Sequence, residues 1–473
     1  MMIIGNIKEN SKMEDLKKLQ DELWEYAELG FKEHKSAKAM CDFLENKGFK
    51  VNRSICNMET AFDAVYGDKG PVIAILAEYD ALDGLSQEAD VAEYKPLTDS
   101  TTGQGCGHHL LGVGAISAFL DLKKMIDEEN LDATIKLVGC PAEEAGSGKA
   151  YLARDGYFDD VDIALTWHPS NISSVTSGSH QACIQCYFRF HGVSSHAAGS
   201  PELGRSALDS VELMNVGVNY LREHMSSDER VHYAITNTGG SAPNVVQAEA
   251  EVRYFVRSTT GPKVKKLYDR VCNIARGSAL MNETEVDIIF DEGLVNVIPN
   301  FTLEDVLRDS FLKLDVPKYT EEEREYAKKF KETYDIKIVL NNIDDTVKDK
   351  ERLKNNILES ELNDYFVDKE HTNVCHMGST DVGDVSWVVP TAQVNVNCYS
   401  YGAGGHSWQW VAQGKSSIAT KGAIHAGKIL ADSALTLIKN PELIEKAKKE
   451  LQERLGDDKY ECLIPKDVLP HVY

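Results

Sequence analysis

The chain has 473 residues, 42% of them hydrophobic and 27% charged, and its 75 acidic side chains against 51 Lys and Arg give a net charge of −24. That length exceeds one ordinary core, so two domains are expected. The acidity argues against nucleic acid or an anionic membrane as a partner, and no stretch approaches the roughly 20 apolar residues of a membrane span. Ten cysteines in no regular framework read as reduced thiols. Residues 1–10 hold a short apolar patch but no basic segment or cleavage site, so the expected location is cytoplasmic.

Residues 13–47 read as mostly helical, with Leu16, Leu19, Leu23 and Trp24 on one side, an interruption near Gly30 and His34, and a stop at Gly48. Strands are expected at 51–65 and 72–77, the second covered on both faces because it is continuously apolar. A helix at 110–125, a strand at 134–139, a helix at 149–154 and a buried strand at 162–166 follow. The alternation predicts an α/β domain with a mostly parallel sheet. In such sheets ligands collect at the carboxyl ends of the strands. Asp80, Glu143, Glu144 and His168 each follow a buried strand.

The pattern changes near 180. A half-exposed strand at 182–190, a helix at 205–224, strands at 231–236 and 248–256, a helix at 263–280 and a strand at 284–290 give the order β-α-β-β-α-β. This predicts a smaller α+β domain, 181–295, inserted into a discontinuous catalytic domain of 1–180 and 296–473. The latter resumes with a helix at 302–314, a strand at 392–396 and helices at 420–438 and 441–455. Residues 319–370 are rich in charge runs and read as solvated helix faces. Cys183 and Cys186 have redox spacing, but three steps along a strand point them to opposite faces.

Two islands carry the chemistry. Gly105-Cys106-Gly107-His108-His109 opens an apolar helix, and Cys140-Pro141-Ala142-Glu143-Glu144-Ala145-Gly146-Ser147-Gly148 follows a strand. A thiol and an imidazole two residues apart can reach one metal. A lone Cys-x-His would read as a buried thiol beside a capping histidine, but here glycines crowd the helix start, whose N-terminus favours a thiolate. Two adjacent carboxylates at a buried strand end are costly unless cations neutralise them. One can then ligate metal while the other moves protons. His168, ahead of Pro169, and His406, after Gly402-Ala403-Gly404-Gly405, are ambiguous singly and gain weight together. The set has the chemistry of a two-metal hydrolase.

These residues resemble the metallopeptidase and amidohydrolase family that includes carboxypeptidase G, aminoacylases and the indole-acetyl-amino-acid hydrolases. Cys106-Gly107-His108 is similar to the Cys-Gly-His motif of the last branch, and Cys140 to Gly148 to its Pro-x-Glu-Glu block. Val193-Ser194-Ser195-His196 and Gly239-Gly240-Ser241-Ala242-Pro243-Asn244-Val245 resemble its small-domain blocks. Thr166-Trp167-His168-Pro169, Gly378-Ser379-Thr380-Asp381 and Gly405-His406-Ser407-Trp408, with the charged insertion, are closer still to the B-type group of the p-aminobenzoyl-glutamate hydrolases. The resemblance implies that Cys106, His108, Glu144, His168 and His406 hold two divalent ions, Mn2+ or Zn2+, with Cys106 bridging, and that Glu143 is the general base. It implies that His196 reaches across a dimer interface to the oxyanion, that Asn244 and Arg257 bind the substrate carboxylate, and that Asp80 orients the site. The implied activity is hydrolysis of an N-acyl or N-aroyl amino acid, p-aminobenzoyl-glutamate first, by a homodimer or a heterodimer with a related subunit. The alternatives are a dipeptidase, aminoacylase or carboxypeptidase on other amides, and a metal-binding protein without turnover. The chain departs from the Cys-Gly-His branch at Gln104 and at His109. His109 is thereby an outer hydrogen-bonding residue or an extra ligand. Arg253 reads as an exposed strand-end charge.

Overall fold

The computed structural model describes residues 2–471, with side chains from Lys12 to His471. The side chains of the 1–10 patch therefore lie outside the described residues. Thirteen strands are described: β1 (Val51–Arg53), β2 (Phe62–Tyr66), β3 (Val72–Ala77), β4 (Thr134–Gly139), β5 (Ile163–Ser170), β6 (Ser174–Val175), β7 (Ser179–His180), β8 (Ala182–His191), β9 (Arg230–Asn237), β10 (Glu249–Ser258), β11 (Glu285–Leu294), β12 (Cys375–His376) and β13 (Thr391–Asn397).

Seven of them form one sheet in the order β1-β2-β4-β3-β5-β13-β6. Its centre, β4-β3-β5-β13, is parallel, and the flanks pair antiparallel. The apolar run of β3 follows from being covered on both faces. Ile73, Ile75 and Ala77 pack with the helices His108–Glu129 and Ser417–Lys439 and with Leu16, Leu19 and Leu23 of the helix Met2–Tyr26. Ala74 and Leu76 pack on the other face, with Tyr151, Leu152 and Val385. Two expectations are refined here. The 51–65 strand breaks at a 3-10 turn, Ile55–Asn57, because β1 and β2 pair antiparallel and need a reversal; Ser54, Cys56 and Asn57 take positive φ there. The first helical stretch likewise ends at Tyr26 and restarts at His34, with Ala27 and Phe31 at positive φ between.

The second sheet, β11-β8-β10-β9, is antiparallel throughout, with the helices Ala207–Leu221 and Gly261–Met281 packed on it. Period-2 alternation sends Ala250, Val252, Tyr254 and Val256 of β10 inward. The same face of β8 is more buried than a half-exposed strand, because Ala182, Ile184, Cys186, Phe188 and Phe190 all sit under those helices. Cys183 and Cys186 are both buried free thiols. All strands of this sheet fall between the β5–β7 region and the helix Phe301–Lys313.

The charged 319–370 stretch does more than present solvated faces. Its helix Glu321–Lys331 packs Ala327 with Leu362 and Ile418, and its helices Ile336–Asn341 and Lys350–Glu359 enclose a small core of Val347, Leu353, Ile357 and Val367 around Tyr401. A capping box of Thr320 and Glu323 starts the first of these helices. No helix among the described residues is long and apolar enough to cross a membrane.

Candidate metal centre

The carboxyl edge of the parallel strands positions the candidate residues. Gly107, at φ +85, starts the helix His108–Glu129. A Cβ there would lie 2.4 Å from the Tyr399 hydroxyl, so only glycine lets Cys106 and His108 turn inward together. The Glu143–Glu144 loop is held from below. Ala142, at φ +59, donates its N–H to Glu33 Oε1 at 2.8 Å, and Glu33 Oε2 accepts from the Thr60 hydroxyl at 3.0 Å. Gly30 lies against the same loop, where a Cβ would come within 2.9 Å of both Ala142 Cβ and the Ala145 carbonyl oxygen. Asp80 clasps the two islands together. Its Oδ1 accepts from His108 Nδ1 at 2.7 Å and its Oδ2 from the Glu144 N–H at 2.9 Å.

Asp80 thus turns His108 Nε2 toward the centre. His168 is oriented the same way: its Nδ1 donates to the Pro169 carbonyl at 2.8 Å, and its Nε2 faces Cys106 Sγ at 3.4 Å. His406 Nε2 lies 3.4 Å from Glu144 Oε2, on an exposed loop where His406 takes φ +61. Two sets of donor atoms gather within 4.8 Å of one another: Cys106, His108 and His168, and Cys106, Glu144 and His406. Cys106 is common to both. All five candidate ligands therefore meet around one sulfur.

The donor set fits cations on three observations. His108 Nε2 and Glu144 Oε1 are buried with no hydrogen-bond partner among the described residues, a costly state unless a ligand satisfies them. Burial, with Glu144 nearby, pushes the Cys106 thiol well above its usual range, so a thiolate here requires positive charge beside it. Sulfur, imidazole and carboxylate together suit zinc and manganese. Burial also opposes a charged Glu144, but its bond to His406 and the charge of His108 outweigh it and hold the carboxyl at about 2.

Glu143 lies beside this cluster, its Oε2 3.9 Å from His108 Nε2. Burial, then Glu78 and Asp381, push it well above the ordinary carboxylate range, the direction required of a group that carries a proton. Glu78 is a site neighbour that the sequence reading missed. It is buried, with Oε2 3.3 Å from His108 Nε2 and Oε1 2.7 Å from Lys149 Nζ, and Lys149 Nζ reaches Asp381 Oδ1 at 2.6 Å. Glu78, His108 and Glu143 also place donor atoms within 4.8 Å of one another. The available signal was a carboxylate directly after β3, two residues before Asp80.

The structure does not bring the remaining candidates into the cluster within one chain. His196 and Asn244 are exposed on adjoining loops of the smaller sheet, where the Asn244 carbonyl accepts from the Ala197 N–H at 3.0 Å. His196 Nδ1 accepts from the Ala198 and Gly199 N–H groups at 3.2 and 2.9 Å, which leaves Nε2 as an outward donor. Arg257 lies on β10 with its guanidinium over the Phe255 ring, and Nη1 donates to Ser379 Oγ at 2.8 Å. Of the two readings of His109, the hydrogen-bonding one fits: it is fully buried, its Nε2 bonds the Gly414 carbonyl at 2.9 Å, and burial lowers its pKa to about 3. The reading of Arg253 is corrected. Arg253 is no free strand-end charge, since it pairs with Asp291 at 2.6 Å and covers the Tyr187 ring.

Comparison with known proteins agrees with this geometry. Residues 179–279 match the peptidase dimerisation domain. The chain is 42% identical over 460 residues to the B-type component of p-aminobenzoyl-glutamate hydrolase from Escherichia coli K12, spanning 96% of this chain and 95% of that protein. It is 26% identical over 464 residues to the mouse Xaa-Arg dipeptidase, spanning 94% and 90% of the two chains. Its fold matches a dinuclear metal-binding peptidase of the M20 family from Bacillus subtilis with a TM-score of 0.54 at 16% identity, covering 91% of this chain and 99% of that one. With 42% identity to one relative over nearly the whole length and a match to the dimerisation domain, the chain belongs to the M20 peptidase family and is a metal-dependent hydrolase of amide bonds.

Proposed function

We propose that the chain cleaves the amide bond of p-aminobenzoyl-glutamate to p-aminobenzoate and glutamate, as a member of the class of N-acyl and N-aroyl amino acid hydrolases. The gathering of Cys106, His108, Glu144, His168 and His406 beside Glu143 carries this reading. The name of the E. coli relative supports the substrate.

In this reading Cys106, His108 and His168 hold one divalent ion, and Cys106, Glu144 and His406 a second, Mn2+ or Zn2+. Bound there, the pair supplies Lewis acidity to the attacking water and the amide carbonyl. Glu143 takes the proton from the water as its oxygen adds to the carbonyl carbon. It returns that proton to the departing α-amino nitrogen as the C–N bond breaks. His196, reaching over from a second chain, donates from Nε2 to the oxyanion. Arg257 and Asn244 hold the substrate's free carboxylate, the guanidinium as a two-pronged donor. Asp80 keeps His108 aimed at the ion. Residues 181–295 form the dimerisation and lid domain on the catalytic domain of 1–180 and 296–473. The second chain is another copy or a related subunit. The E. coli relative is named as one subunit of its hydrolase, which supports the latter. Ten unpaired thiols fit a reducing compartment such as the cytoplasm.

The test is metal analysis of the purified chain together with a substrate panel. The expected result is bound Mn2+ or Zn2+ and chelator-sensitive turnover of p-aminobenzoyl-glutamate. A second reading, a dipeptidase, is favoured by the similarity to the Xaa-Arg dipeptidase. Turnover of dipeptides ending in a basic residue, with none of p-aminobenzoyl-glutamate, would establish it instead.

A further inference from the structure

A cavity of about 330 Å3 lies between the charged insertion and the carboxyl edge of the large sheet. That volume is within the roughly 300–1,000 Å3 of small-molecule pockets. Its floor continues the strands that carry the candidate metal centre. Ser170 and Asn171 follow His168 along the chain, and Asn395 of β13 pairs in parallel register directly beside His168 of β5. Adjacent strands are about 4.8 Å apart, so the floor begins one strand from a candidate ligand. Gly402 and Gly404 form another wall, on the loop that ends in His406. The insertion supplies the roof, with Tyr334, Val339 and Ile343.

The lining has a definite chemical character. The Asn171 and Asn395 carboxamides make no hydrogen bond to another side chain or backbone group among the described residues, so both are available to a ligand. The charges on the wall cancel: Lys369 Nζ is 2.9 Å from Asp344 Oδ2. An apolar roof, a carboxamide floor and no unmatched charge suit a neutral aromatic ring with a small hydrogen-bonding substituent. They do not suit a carboxylate.

We propose that this cavity receives the aromatic acyl group of the substrate, and that the 319–370 insertion is what selects aroyl over small acyl amides. The inference rests on the amidohydrolase reading of the neighbouring metal centre. The ring lies under Val339 and Ile343, and its far substituent meets Asn395 and Asn171.

The test compares kcat/KM for p-aminobenzoyl-glutamate and N-acetyl-glutamate in the full-length metal-loaded enzyme, for the native chain, Val339→Trp and Asn395→Leu. Calorimetric binding of p-aminobenzamide to the same proteins is the second readout. Filling the cavity with Val339→Trp should lower the aroyl-to-acetyl ratio by about tenfold or more, mainly through KM, and weaken p-aminobenzamide by a similar factor. Asn395→Leu should move both quantities in the same direction. A ratio and an affinity that stay within about twofold of native in a folded variant overturn the proposal. If Val339→Trp does not fold, Asn395→Leu decides. If the native enzyme hydrolyses neither amide, the functional reading fails. The binding arm alone then decides whether the cavity takes an aromatic ring.

Discussion

The large sheet and the small sheet contribute to the candidate site in opposite ways. Cys106, His108, Glu144 and His168 sit at the carboxyl edge of strands covered on both faces, and a single chain brings their donor atoms together. His196 and Asn244 stand on exposed loops, bonded only to their own neighbourhood, with His196 Nε2 directed outward. A covered parallel sheet has one solution for its strand ends, so packing alone preorganises what they carry. An outward loop of a thin antiparallel domain completes a site only when something docks against it. The candidate metal ligands are therefore assembled by one chain, while His196 and Asn244 are not brought to them within it.

The strongest test of the cluster assembled by one chain is Glu143→Gln. Turnover should fall by about 1,000-fold while bound metal, measured by elemental analysis, stays at the native level. Loss of metal along with activity would instead make Glu143 a ligand. Next is Cys106→Ala. Because Cys106 is common to both donor sets, its loss should lower the content of both ions and not of one. A protein that retains one full equivalent would show that the sulfur serves a single ion.

The proposed contribution of a partner is tested by mixing subunits. His196→Ala and Glu143→Gln chains, each inactive alone, should recover about a quarter of native activity after unfolding and refolding together, since half the twofold dimers then hold one intact site. No recovery in verified mixed dimers would place His196 in its own chain's site. Arg257→Lys should raise KM by about tenfold with little change in kcat, since a point charge replaces a forked donor. An equal effect on an amide lacking the carboxylate would remove Arg257 from substrate binding.

The smallest effect concerns the junction of the two regions. Asp384 accepts from the Val295 N–H at 3.1 Å and from the Tyr460 hydroxyl at 2.7 Å, and burial pushes it up to about 8. Its folded pKa lies above that of an unfolded aspartate, about 3.9. The folded chain therefore binds the extra proton, and this contribution to stability is lost as pH rises from about 4 through about 8. Asp384→Asn should thus gain in melting temperature over the native chain across that window, with a constant difference above it. A difference that does not change with pH would refute the shift.

Legibility followed the same division. The strands at 72–77, 134–139 and the first part of 163–170 were readable because double coverage leaves largely apolar runs; the third was read as ending at 166, whereas it continues to Ser170 and carries His168 within it. The smaller domain's order was readable because its buried side chains alternate. The insertion was only half readable: its charge runs mark solvated faces, but Val347, Leu353 and Ile357 become a core only through contact with Tyr401, far along the chain. Glu78 escaped notice for a similar reason. Nothing beside it in the chain says that it is buried, and only Lys149 and His108, brought from two other segments, make its charge tolerable. His109 was ambiguous because its neighbour His108 has the same chemistry, and one helical step turns it to the Gly414 carbonyl.

Residue types and spacing by themselves determined which side chains could do the chemistry, because ligand and base roles follow from the identity of the atoms. They also determined the order of elements, through hydrophobic period and coverage. Only the tertiary structure decided which imidazole nitrogen faces the centre, that one sulfur lies within reach of both donor sets, and that His196 stands on an exposed loop outside the cluster. Those outcomes depend on distances between segments remote in sequence, which side-chain packing and buried hydrogen bonds set and no local pattern encodes.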